Sequence, residues 1–132
     1  MMERPPSPLP PAAHLCAGFF VLSGALEMAF PWLQNPIAGD LWSAAGQGLL
    51  HWLLAAGLLA RLALCRALAL VYCLAALVTY GVVLGLALAQ APILFPQSIV
   101  LMSLVQVPSC AVLFPWLRSP AALVAFPRPL RG

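Results

Sequence analysis

Four apolar runs of roughly twenty residues each, with arginine only outside them and no lysine anywhere, constrain this chain more than any other feature. A helix of that length crosses the ~30 Å hydrocarbon core of a bilayer. In lipid every backbone amide must be satisfied within its own segment or a closed barrel, so long uninterrupted apolar runs fold as helices. The runs cover residues 13–33, 41–60, 67–91 and 97–117, and the third is apolar on every face. With 64% hydrophobic and 7% charged residues and a mean hydropathy of +1.02, the chain lies far from the ~25% charged residues of soluble domains. The sequence therefore predicts an all-α, polytopic membrane protein, a four-transmembrane-helix antiparallel bundle. Its 132 residues form one domain and leave no room for a soluble catalytic one.

The segments between the runs carry the breakers that such a bundle requires. Residues 1–12 hold five prolines, and they predict a disordered, Pro-rich tail. Pro36, Gly39 and Asp40 turn the chain after the first run, Arg61 and Arg66 bracket the second connection, and Pro92 and Pro96 close the third run. Pro108 removes a backbone hydrogen bond inside the fourth run and predicts a kink. In the basic tail, residues 118–132, Ser119-Pro120 reads as a cap and first helical position, and Pro127 as a stop, which predicts a short interfacial helix. The first run is too long for the apolar core of a signal peptide and lacks a small-x-small cleavage pattern, so it is expected to stay in the mature protein.

Charge sets the orientation. The six basic side chains are Arg4, Arg61, Arg66, Arg118, Arg128 and Arg131, all on one side of a four-pass reading. The opposite loops have no arginine and one acid, Asp40. By the positive-inside rule both termini are cytoplasmic. Trp32 and Trp42 then fall at the outer interface, with Tyr72 and Trp116 nearer the inner one. Arginine without lysine, beside abundant Ala, Gly and Pro, points to a GC-rich coding sequence and a bacterial inner membrane. The basic residues are scattered between apolar runs, and no nucleic-acid footprint results.

Polar residues inside the runs are the candidates for function. Glu27, Gln47 and His51 lie within about one helical turn of each other in depth. Gln47 and His51 are spaced i, i+4 and share a face with Ala44, Gly48 and Ala55. Ser103, Gln106 and Cys110 form a stripe on the fourth helix, and Thr79 and Tyr80 lie at a similar depth on the third. Glu27 is the sharpest of these, because an ionised carboxylate in hydrocarbon is costly and every arginine lies toward the opposite face. The candidate intramembrane polar site is therefore Glu27, Gln47, His51 and Gln106. Helix packing is expected through Gly48 on the second helix and through Gly81, Gly85 and Ala89 on the third, where the spacing extends a GxxxG pattern.

Cys16, Cys65, Cys73 and Cys110 fall toward the cytoplasmic half and make no CxxC pair, so they read as reduced packing residues and not as a disulfide, redox or metal site. No phosphate-binding glycine loop, nucleophile triad or carboxylate pair is present, and no catalytic residue, metal or cofactor is expected. One membrane glutamate in the first of four helices is similar to the arrangement in the small multidrug-resistance exporters, and that likeness implies proton-coupled export through Glu27. The glycine-rich segment Gly81-Val82-Val83-Leu84-Gly85 lacks the tryptophan of that family's third-helix signature, and the arginine bias here is far stronger. The DoxX-like family is similar in size and pass number, with no shared motif. Two functions follow: a non-enzymatic accessory or assembly subunit, partnered by the bilayer and by a homo-oligomer or larger membrane complex, or a proton-coupled transporter of small hydrophobic or cationic solutes using Glu27.

Overall fold

The computed structural model describes residues 7–34, 41–89 and 97–127. Five helices follow one another: α1 (Pro11–Gln34), α2 (Leu41–Leu59), α3 (Ala63–Leu88), α4 (Gln97–Arg118) and the short α5 (Pro120–Ala125). Three of them contain stretches long and apolar enough to cross a membrane, Pro11–Ala29, Ala63–Leu88 and Gln97–Arg118, and α2 is a shorter apolar helix. Leucine and valine on the outward faces, such as Leu15, Val71, Val78 and Val112, stay exposed, which carries no hydrophobic penalty in lipid.

The helices pair as two antiparallel hairpins, α1 with α2 and α3 with α4, that meet along a thinner seam. The first hairpin closes on glycine. A Cβ placed on Gly24 would stand 2.9 Å from the Gly48 carbonyl oxygen, and one on Gly48 would stand 2.9 Å from the Gly24 carbonyl oxygen. The two backbones thus cross in direct contact, a separation that only hydrogen side chains permit. Trp52 Nε1 donates to the Val21 carbonyl 3.1 Å away, locking the same crossing and satisfying the indole. Small buried side chains then fill the centre: Ala13, Cys16 and Ala17 of α1, Ala69 and Cys73 of α3, and Cys110 of α4.

The second connection is tighter than expected. Leu62 N donates to Gly57 O at 3.0 Å and Arg61 N to Leu58 O at 3.0 Å, the paired bonds of a Schellman ending. Arg61 takes the left-handed position, φ 63°, that glycine usually fills. Because this turn needs only residues 60–62, α3 starts at Ala63, and Arg66 sits in its first turn instead of closing a loop that would run to residue 66. Arg66 Nη1 donates to the Leu117 carbonyl at 2.9 Å, capping the end of α4. Arg61 bonds the Ser7 carbonyl, and Leu9 packs on the core, so the proline-rich segment is placed from Ser7 onward and α1 begins at Pro11, where a missing N–H costs nothing. Of the expected disordered tail, residues 1–6 lie outside the described residues, and Pro11 and Ala12 are already helical.

Helix α4 continues through both Pro108 and Pro115. Ser119 caps α5, its Oγ accepting from Ala122 N at 3.3 Å and donating to Trp116 O at 2.6 Å. Buried Phe126 packs edge-on against Trp116, returning α5 onto the bundle. Ser7, Arg61, Arg66, Leu117 and α5 therefore gather at one end. Arg4, Arg128, Arg131, Asp40 and the side chains of Trp32 and Trp42, on which the orientation reading also draws, lie outside the described residues.

Candidate intramembrane polar site

Helical spacing brings Glu27 of α1 and His51 of α2 together at the crossing that Gly24 and Gly48 make close. Glu27 Oε2 stands 3.6 Å from His51 Nδ1. That nitrogen also lies 2.7 Å from the Gln47 carbonyl oxygen one turn earlier on its own helix. A carbonyl can only accept, so Nδ1 carries the proton and donates to it, and Nε2 is left as the variable nitrogen. His51 is 7% exposed, and neither its Nε2 nor Glu27 Oε2 has a hydrogen-bond partner among the described residues. Two buried, unsatisfied polar atoms in one small site are uncommon in a folded interior and mark it as unfinished.

Beside them a cavity of about 390 Å³ opens between α1, α2 and α3, lined by Glu27, Gln47, His51, Tyr72, Thr79 and Tyr80, with leucine and alanine between. It sits along the seam between the two hairpins. Tyr72 frames its inner wall, its ring edge-on to His51 at 4.8 Å and to Phe20 at 5.2 Å. Aromatic faces and one carboxylate in an apolar pocket suit a cationic or amphipathic guest.

Gln106 is not in this cavity. It is fully buried in a separate network one layer away: its Nε2 donates to Ser23 Oγ at 2.5 Å and its Oε1 accepts from the Tyr72 hydroxyl at 3.1 Å. The Cys110 thiol approaches the same oxygen at 3.9 Å. One amide thereby ties α1, α3 and α4, and Tyr72 joins the network to the cavity wall. Ser103, on the same stripe, turns back to its own Ile99 carbonyl at 2.7 Å and links no second helix. Ser23 and the inward role of Tyr72 were missed from sequence: serine in an apolar run is ordinary, and tyrosine near a helix end reads as interfacial.

The packing glycines divide. Gly48 lies at the α1–α2 crossing, with Gly24 as its unanticipated counterpart. Gly81 and Gly85 face open space, with no atom within 4 Å of an added Cβ, and Ala89 is exposed. At Gly81 and Gly85 the expected close helix contact is not seen among the described residues. The glycine that makes room near the second connection is Gly57, against which Cys65 packs. Cys16, Cys73 and Cys110 are buried free thiols. Among the described residues no three His, Cys, Asp or Glu side chains gather as a metal site.

Compared with known protein families, curated proteins and solved structures, the chain matches none.

Proposed function

We propose that this chain is a four-pass membrane protein that exchanges a proton for a small hydrophobic or cationic solute at the Glu27–His51 cavity. The observation that carries the reading is the pairing of a roughly 390 Å³ space with two buried polar atoms, Glu27 Oε2 and His51 Nε2, that have no hydrogen-bond partner among the described residues. With Nδ1–H committed to the Gln47 carbonyl, His51 Nε2 is free to accept a proton, and a cation seated among Tyr72, Tyr80 and Glu27 takes the place of one. The four-pass count is supported by length: the 19 residues of α2 reach about 28 Å, close to the hydrocarbon thickness. Both termini are then cytoplasmic, with the arginine-bearing end inward, in a membrane of bacterial inner-membrane type.

The test is equilibrium binding of tetraphenylphosphonium, a lipophilic cation, to the full chain in detergent. Saturable binding that Glu27→Gln weakens at least tenfold, and that Thr79→Phe weakens by filling the cavity, supports the reading. Binding of equal strength in all three proteins rejects it.

The accessory-subunit reading keeps one specific support, the open Gly81–Gly85–Ala89 face of α3, which is shaped for a neighbouring helix. Such a subunit is non-enzymatic and held in a homo-oligomer or larger membrane complex. In-membrane crosslinking that Gly85→Ile abolishes supports it, and crosslinking unchanged by Gly85→Ile argues against it.

A further inference from the structure

At the arginine-bearing end a second cavity, of about 410 Å³, lies between three separate stretches of chain: the segment before α1, the α2–α3 turn and α5. Its walls are Pro8, Pro10, Pro120 and Val124, apolar and without side-chain hydrogen bonds to offer, and its one charged side chain is Arg61. Val124 is 78% exposed and the neighbouring Leu123 53%, so the outer rim of the cavity continues into apolar surface.

The cations at this end are spent unequally. Arg66 is turned into the bundle, donating to Leu117 O, and Arg118 lies over the Phe114 ring at 5.6 Å. Among the described residues Arg61 bonds the Ser7 carbonyl, a neutral acceptor, and no carboxylate. The only carboxylate side chain among the described residues is Glu27, and it lies 3.6 Å from His51, away from this end. Arg61 is also held in the left-handed backbone region at the turn, a position where glycine relaxes the strain and arginine does not. A positive charge placed over an apolar cavity, at a membrane-facing end, is the chemistry that takes the phosphate of an amphiphile: guanidinium to phosphate oxygens, and proline and valine walls to the glycerol and first acyl carbons.

We propose that the cavity between the pre-α1 segment, Arg61 and α5 binds an anionic phospholipid, with Arg61 holding its phosphate. The bound lipid ties the chain start, the central turn and α5 together, so the site orders the arginine-bearing end in addition to neutralising it. It is independent of the Glu27 cavity and stands or falls separately.

The experiment is lipid retention by the full chain, measured by native mass spectrometry in detergent with phosphatidylglycerol, phosphatidylcholine or inorganic phosphate as the probe. Phosphatidylglycerol is expected to remain bound with affinity roughly five- to tenfold above phosphatidylcholine, the value of one favourable cationic contact. Arg61→Gln is expected to erase that preference and Arg61→Lys to keep most of it. Val124→Trp, which fills the cavity and leaves Arg61 in place, is expected to lower retention of both lipids, and it reports on the site if Arg61→Gln fails to fold. Equal retention of the two lipids by the unsubstituted chain overturns the proposal, as does an unchanged preference in Arg61→Gln. Full displacement of phosphatidylglycerol by millimolar inorganic phosphate also overturns it, because it leaves an anion site with no lipid component.

Discussion

Replacing Gln106 by leucine tests how the two hairpins are joined. The side chain is fully buried and makes two good hydrogen bonds to other helices, 2.5 Å to Ser23 Oγ and 3.1 Å from the Tyr72 hydroxyl, plus a weak thiol contact at 3.9 Å. Hydrogen bonds between membrane helices contribute about 0.6 kcal/mol on average and up to about 1.7. Two of them set the loss at about 1–3 kcal/mol. The two orphaned hydroxyls do not fare alike. A serine in a helix can fall back on the carbonyl four residues earlier, as Ser103 does with Ile99, so Ser23 recovers part of its cost. The Tyr72 hydroxyl bonds Gln106 within the α3–α4 hairpin and cannot reach its own backbone, so most of the cost lies with it, while the Ser23 bond is the one that crosses the seam. Gln106→Leu, close in volume, should therefore destabilise by about 1–2 kcal/mol, and Tyr72→Phe by about half that. The assay is reversible unfolding in mixed micelles by titration with sodium dodecyl sulfate, with Ser23→Ala completing a double-mutant cycle. A Gln106→Leu protein within about 0.3 kcal/mol of the unsubstituted chain, or a cycle with no coupling between Ser23 and Gln106, would refute the network as the tie between hairpins.

Three further outcomes follow from the geometry. Gly48→Ala should cost about 1–3 kcal/mol, since the new methyl meets the Gly24 carbonyl at 2.9 Å, whereas Gly81→Ala, with nothing within 4 Å, should be neutral or slightly stabilising in the same unfolding titration. Arg61→Gly should be more stable than Arg61→Ala by about 1 kcal/mol, because both lose the Ser7 bond and only glycine relieves the left-handed φ of 63°; equal stabilities would remove the strain argument. Of the four thiols, Cys65 alone is partly exposed, so an impermeant maleimide should label the folded chain at Cys65 first, and faster labelling of Cys16, Cys73 or Cys110 would contradict the core described above.

Apolar length made the helices legible in the sequence, because a run such as residues 67–91 has no other way to satisfy its backbone in lipid. The ends were less legible. Nothing in the residue types signals that Arg61 adopts the left-handed turn position, since that position favours glycine, and without it the tight turn and the placement of Arg66 within α3 are invisible. The glycine contact between α1 and α2 was hard to read for a related reason. A GxxxG count looks along one helix, whereas the real crossing pairs Gly24 with Gly48 across two, and which faces meet depends on inter-helix register. Depth arguments placed Glu27, Gln47 and His51 in one layer, and these three do line one cavity. The same arguments could not separate Gln106 from them: depth along a helix is fixed by about 1.5 Å per residue, and direction around it is fixed only by packing.

The central claim, that a solute and a proton compete at the Glu27–His51 pair, is tested most directly by counting protons. Tetraphenylphosphonium added to the full chain in weakly buffered detergent should release close to one proton per bound cation, read by a pH-sensitive dye, and Glu27→Gln should release none. Saturable binding without proton release, or equal release from Glu27→Gln, would contradict the account.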